Sequence, residues 1–409
     1  MSRATKNSNH GFSLIELMLA LSLGLLITAA AVKLYSYGMD ATWVIHERAE
    51  MQQDLRAAEG MMLKDISLAG AGLTSISGES VTLPSSLGSP IYGCSAGPIC
   101  PPNGSVKYPS IGGGSPTLYP IMPGYQLGIT PAGSTTKSDL ITVVYSDNNL
   151  ALNCYAGTSA AAGGATAANN AMTFSAAGNV VTFTAPVSPP PSSCVMPPGI
   201  AFPQALNNTV NGLQAGDLIL FGPNSLGVAY IGEITTAPAA SGAAATPGSQ
   251  YAYTFANGDT LNMNQSGAAN DLTKLAPAGG GQLANVQANR IYVITYYLAN
   301  WVDAGGNTTV ILYRQVNGTA AVPLVDNIAN MQFTYDTYDA AGDLLNQAGD
   351  GGESLGVSPN LIRKVNIAHL TLHGQIYGTK SSLMATQGFQ SFDVQTSISA
   401  RNASFNNRY

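Results

Sequence analysis

The sequence predicts an α+β protein: one long N-terminal α-helix, apolar in its first half, packed on a mainly antiparallel β body with long loops. Phe12 to Val32 forms a 21-residue stretch interrupted only by Ser13, Glu16, Ser22 and Thr28. A helical pattern runs straight on from it to about Gly70, with no proline to stop it. Beyond residue 73 the pattern changes to short β-branched and aromatic runs separated by turns.

Composition narrows the class first. Of 409 residues 45% are hydrophobic, enough to bury one large core or two modest ones. Only 9% are charged, against about 25% in an ordinary soluble domain, and 45 Gly with 23 Pro imply many turns. This is the make-up of an exported, loop-rich β protein. The net charge is −6 and the Lys and Arg are scattered, so the basic footprint of a nucleic-acid binder is missing.

Residues 1–11 read as a short basic leader carrying Arg3 and Lys6, and residues 12–72 as the helix. The apolar stretch has the length of one bilayer crossing, about 20 residues. Its basic flank precedes it, so the N-terminus stays cytoplasmic and everything after Lys33 lies outside. An ordinary secretory signal is the rival reading, with Ala29-Ala30-Ala31 as its cleavage site. Two features oppose it. A carboxylate at Glu16 costs on the order of 1–3 kcal/mol in an apolar span and calls for a function. The pattern also continues: Ala41, Val44, Met51, Leu55, Ala58, Met62 and Ile66 recur at mostly three- and four-residue steps, as on one face of an amphipathic helix. Glycine at 70 or 72 can take the left-handed conformation that closes it. Such a helix would be about 90 Å long, and its first half has no partner but lipid or other helices.

Gly11-Phe12-Ser13-Leu14-Ile15-Glu16, followed by the apolar run and the amphipathic helix, resembles the class III signal of type IV prepilins and pseudopilins. That resemblance implies a type IV pilin-like fold. It also implies that a prepilin peptidase cuts between Gly11 and Phe12 and methylates the new amino group of Phe12. Glu16, the fifth residue of the cut chain, would then pair with the charged terminus of a neighbouring subunit and set helix register. The implied partners are the prepilin peptidase, other minor pilins, the major pilin, the inner-membrane assembly platform, and membrane lipid before assembly. The implied location is the inner membrane, crossed once, with the body in the periplasm until the subunit enters the pilus.

Residues 73–409 form the predicted β-rich body. Strands are expected at Asp139–Tyr145, Asp217–Phe221, Val228–Ile234, Arg290–Tyr297, Thr308–Arg314, Met331–Tyr338, Leu361–His373 and Phe392–Ser399, with Val325–Asn330 the one short helical candidate. Residues 74–135, 155–170 and 187–199 read as long surface loops. Cys94, Cys100, Cys154 and Cys194 all fall in Gly/Pro/Ser-rich stretches, which suits disulfides in an oxidising compartment. Three connectivities are possible, and local loop closure favours Cys94 with Cys100 and Cys154 with Cys194. Leu312-Tyr-Arg314, Leu324-Val-Asp-Asn-Ile328, Met331-Gln-Phe-Thr-Tyr335 and the ending Val394 to Asn402 resemble minor pilins of the PilW type. Such proteins prime pilus assembly or sit at its tip. J-type minor pseudopilins of type II secretion share the layout and stand as the alternative. A secreted periplasmic binding protein or enzyme is a more distant one.

No enzyme motif occurs: there is no G-x-S-x-G, Walker loop or H-E-x-x-H. His369 and His373 share a strand face by two-residue alternation, but with no third ligand in sequence they read as solvated rather than as a metal site. Asp336, Asp339, Asp343, Asp350 and Glu353 fit no calcium-loop spacing and read as a solvated acidic loop. Ser138-Asp-Leu-Ile and Gly216-Asp-Leu-Ile echo each other, too briefly to claim a duplication. No cofactor is implied.

Overall fold

The computed structural model describes residues 12–73, 81–84, 116–131, 134–147, 149–150, 152, 172–185, 203–222, 229–265, 267–268, 271–276, 279–282, 286–302, 304–339, 341–349, 359–375 and 389–400. The chain falls into two compact units, residues 1–53 with 374–390, and residues 54–373 with 391–409.

One 55-residue helix, α1 (Leu14–Leu68), opens the described chain. In chain order the strands are β1 (Val81–Thr82), β2 (Thr117–Leu118), β3 (Ile121–Gly124), β4 (Leu140–Asp147), β5 (Met172–Phe174), β6 (Val180–Thr184), β7 (Leu218–Gly222), β8 (Tyr230–Glu233) and β9 (Gln250–Thr254). They continue as β10 (Gly281–Gln282), β11 (Gln287–Val302), β12 (Thr308–Val316), β13 (Val322–Val325), β14 (Ile328–Tyr338), β15 (Leu344–Gly349), β16 (Ile362–Gln375) and β17 (Phe389–Ser399). A long N-terminal helix followed by a mainly antiparallel β body is the α+β arrangement expected from the sequence.

A seven-stranded sheet organises the second unit. Its spine is β13-β12-β11-β4-β3, and β7, which carries β8, pairs with the first part of β11. Two four-stranded sheets, β10-β5-β6-β9 and β15-β14-β16-β17, and the pair β1-β2 complete it. β11 is long because Arg290 to Tyr297 is almost entirely β-branched and aromatic. It pairs antiparallel with β4 along one edge and with β7 and then β12 along the other.

Where a strand faces solvent on one side, burial alternates, as on β6 and β9. On β7 all five residues are buried. The run Leu218-Ile-Leu-Phe221 separates two cores: Ile219 and Phe221 pack with Val181, Phe183, Tyr253 and Phe255, while Leu218 and Leu220 pack with Val144, Ile231, Ile291 and Val293. Period-two alternation then places an apolar residue on both faces. Phe221 meets Phe174 and Phe255 edge to face, at 5.8 and 5.7 Å between ring centroids.

Three expectations need correction. Val325–Asn330 is not helical. It is the end of β13, a turn with Asn327 in the left-handed region (φ 57°), and the start of β14, a conformation Asn tolerates better than most residues. The stretch 74–135 is not all surface loop. Its described parts include β1, β2 and β3, with Val81, Leu83, Leu118, Ile121 and Met122 fully buried. The acidic run does not wholly face water. Asp336 is buried on β14 beside Lys364 at 3.3 Å, with Asn366 donating to it at 3.1 Å. Asp339 instead accepts the main-chain N–H groups of Ala341 and Asp343 in the turn leading to β15, a strand whose mixed sequence, Leu-Leu-Asn-Gln-Ala-Gly, gave no signal.

Candidate functional site: the N-terminal helix and the anchor at its end

An 18-residue window of α1 has a mean hydropathy of 2.2, long and apolar enough to cross a membrane. Phe12, just before it, is 84% exposed, and Leu14, Ile15, Leu17, Leu19, Leu25 and Ile27 on it are likewise exposed. Two of its polar interruptions are satisfied by the helix itself. Ser22 donates to the Leu19 carbonyl at 2.9 Å, and Thr28 to those of Gly24 and Leu25 at 3.0 Å. Glu16 differs: its carboxylate has no hydrogen-bond or ion-pair partner among the described residues. A carboxylate cannot bond the carbonyls of its own helix, so in an apolar setting it requires a cation or donor from elsewhere. Just past the stretch stand Lys33, Tyr35 and Tyr37, with the Lys33 ammonium 6.0 Å from the Tyr37 ring centroid. That is the composition of a membrane–water boundary.

The apolar stripe divides in use. Ala41 is exposed and Met51 half-buried, but Leu55, Ala58, Met62 and Ile66 are 3% exposed or less. Burial then continues past the helix at Ala69 and Leu73. Gly70 (φ 80°) and Gly72 (φ 71°) take the left-handed conformation expected of them. The turn they make lies along β4, with Gly70 N–H donating to the Val144 carbonyl at 2.8 Å and Ser146 N–H to that of Ala71 at 2.7 Å.

One residue on this segment had not been singled out. Asp65 sits two helical turns after Ala58, on the apolar face, and is 2% exposed. Its Oδ2 accepts from Arg314 Nε at 2.8 Å and from the Tyr296 hydroxyl at 2.6 Å, and its Oδ1 from the Tyr145 hydroxyl at 3.2 Å. Burial and then the Asp65 charge push both phenols well above the usual tyrosine range. Burial opposes the Arg314 charge, but the hydrogen bond and charge of Asp65 outweigh it and raise the guanidinium further. Three strands, β4, β11 and β12, thus converge on one helical carboxylate. An acid interrupting an apolar stripe was the available signal.

A second buried pair holds the sheet itself. Arg290 on β11 forms an ion pair with Asp147 on β4, donating to it through Nε at 2.8 Å and also through Nη2. Its Nη1 donates to the carbonyls of Asn211 and Gly212 at 3.3 Å and lies 3.6 Å from Asp217. Burial pushes the Asp217 carboxyl up. The two echoed segments place their acids alike, one residue before a strand, where Asp139 accepts from Gln126 and Phe333 N–H and Asp217 from Gln214 N–H.

His369 and His373 do lie on β16, but His369 is held by Asp393 on β17, with Nδ1 2.9 Å from the carboxylate. Hydrogen bonds from Gln395, His369 and Thr371 outweigh burial and keep the Asp393 carboxyl below its usual range. Among the described residues no group of three or more His, Cys, Asp or Glu is placed to hold a metal ion. Gly11, Cys94, Cys100, Cys154 and Cys194 lie outside the described residues.

With this geometry in view, the family model for the prokaryotic N-terminal methylation motif matches residues 6–32. The chain therefore carries a class III prepilin signal, on a helix suited to membrane anchoring. The match supports a protein of type IV pilin or pseudopilin type, with a structural rather than a catalytic role. No curated protein and no solved structure matches the chain.

Proposed function

We propose that this chain is a minor type IV pilin that primes the pilus or caps its tip. Prepilin peptidase cuts between Gly11 and Phe12 and methylates the Phe12 amine. The subunit then leaves the inner membrane through the assembly platform and joins other minor pilins and the major pilin by packing its N-terminal helix, with its body on the periplasmic side. The observation that carries this reading is the methylation-motif match over residues 6–32 on a helix whose apolar residues are exposed and whose Glu16 has no partner among the described residues. An exposed helix of this kind is stabilised by lipid or by other helices, and a carboxylate in such a bundle gains most from a cation such as a neighbouring amino terminus. The motif serves pilins and pseudopilins alike. A body of well over 300 residues and the resemblance of Leu312-Tyr-Arg314 and Met331–Tyr335 to PilW-type proteins favour a minor pilus subunit.

Mass spectrometry of the mature N-terminus tests the processing step. A chain beginning with N-methylated Phe12 is expected, and one beginning at Val32 overturns the reading. Affinity purification from the native cell envelope tests the assembly: recovery with pilus subunits is expected, and recovery with a type II secretion apparatus instead assigns the chain as a J-type pseudopilin.

A further inference from the structure

Two carboxyl groups that play no part in the helix or its anchor meet inside the body. Glu233, the last residue of β8, is 3% exposed, and Asp259 is 9% exposed. Each side chain lies within hydrogen-bonding reach of the other. Each of their four oxygens also accepts a main-chain N–H from a single loop: Thr260 at 3.2 Å and Leu261 at 3.0 Å on Glu233, Met263 at 2.5 Å and Asn264 at 3.0 Å on Asp259. The Asn264 side chain closes the arrangement, accepting from Glu233 N–H at 2.9 Å and donating to the Glu233 carbonyl at 2.6 Å. This loop joins two cores. Leu261 and Met263 pack into one, while Phe255, Leu272 and Leu275, just outside it, pack into the other.

Two buried carboxyls in contact cannot both ionise without a compensating cation. Among the described residues no Lys, Arg or His forms an ion pair with either carboxyl. β7 is preceded by Asp217, which lies beside Arg290; the 3-10 turn Leu272–Lys274 carries Lys274 and is preceded by Asp271; β1 carries no titratable group. Asp259 is the charge that acts on Glu233. A bound metal ion fits poorly as well, since N–H dipoles already point at all four oxygens and present the wrong sign to a cation. A proton fits, because each oxygen keeps a lone pair for it.

We propose that Glu233 and Asp259 share one proton and so form a pH-gated latch that holds the Asp259–Gln265 loop on β8. Burial, and then the Asp259 charge, push the Glu233 carboxyl up to about 7, and burial raises Asp259 too. The folded group titrates above its ordinary 4.5, so the native state holds the extra proton. The latch is therefore complete at acid pH, weakens as pH rises through about 7, and is released above it. Acid tightens the join between the two cores, and mild alkali loosens it.

Hydrogen exchange of the full-length protein in detergent micelles reads this locally. After correction for intrinsic exchange, the loop amides are expected to lose about tenfold in protection between about pH 6 and about pH 8.5, with β11 as the internal reference. E233Q, which mimics the protonated acid, is expected to keep its protection across that range. An equal loss in E233Q overturns the latch. So does restoration of the wild-type loop at high pH by calcium, which would make this a cation site. Infrared difference spectra of the wild-type protein need no variant: a protonated carboxyl band present at acid pH and lost through neutrality supports the shared proton. Absence of that band at acid pH overturns it.

Discussion

Asp65 on α1 and Arg314 on β12 are 249 positions apart in sequence and 2.8 Å apart in the fold. The carboxylate is buried, and its three donors arrive from three strands of one sheet. Such an arrangement sets both the depth and the rotation of the last helical turns on that sheet. An apolar face alone would tolerate sliding, because apolar contact is not directional.

Removing one partner of such a pair leaves a buried charge or donor unsatisfied. Asp65→Ala and Arg314→Met are each expected to destabilise the body by about 3 kcal/mol in denaturant unfolding. The double variant is expected to lose clearly less than the sum of the two. Additive losses in the double-mutant cycle would mean that the contact contributes nothing as a pair.

The same helix should show two opposite kinds of sensitivity. Leu55 is 1% exposed, and Leu55→Ala is expected to cost about 2–5 kcal/mol of stability. Trp43 is 62% exposed, and Trp43→Ala is expected to change monomer stability by less than about 0.5 kcal/mol while lowering recovery of the subunit in filaments. Unfolding curves and quantitative immunoblotting of sheared pili measure the two effects separately.

Glu16→Val removes the carboxylate that has no partner among the described residues. Cleavage after Gly11 is expected to continue, since the leader and the cut site are untouched, while incorporation into pili falls. Wild-type piliation together with normal co-purification of the other minor subunits would remove the register role assigned to Glu16.

Tyr145, Tyr296 and Tyr297 are held above the ordinary tyrosine value of 10.0, in each case by burial first. The native state therefore keeps protons that the unfolded chain gives up. Stability from these groups is intact below that value and is lost as pH climbs above it. Ultraviolet titration is expected to show a subset of the 19 tyrosines ionising only as the protein unfolds in alkali. Tyr296→Phe should shrink that late step, and a single smooth titration of all tyrosines would contradict the burial described here.

Local chemistry made the helix legible. Its apolar run, its three- and four-residue steps and its closing glycines each act within a few residues, so they can be read without knowing the fold. Long strands such as β4, β11, β12 and β16 were legible for the same reason, since β-branched and aromatic runs favour extended backbone whatever they pair with. Short strands such as β1, β2 and β10, and the mixed β15, carry no such local signal, because their pairing partners hold them in place. Glu16 could be recognised because a lone carboxylate in an apolar run is costly in any setting.

The part that acts locally could be read from the residues alone: an apolar helix behind a signal of prepilin type, and a β body built from extended runs. Which carboxylates do structural work emerges only when the chain is folded. Asp147, Asp336 and the Glu233–Asp259 pair look in sequence like any other acids, and Asp65 stands out only as an acid interrupting an apolar stripe. Their roles come from burial and from partners that the chain brings back across long separations, 143 positions for Asp147 with Arg290 and 249 for Asp65 with Arg314. The same holds for Leu218-Ile-Leu-Phe221. Its composition called for a strand, but only the packing of two cores against its opposite faces accounts for four consecutive apolar residues.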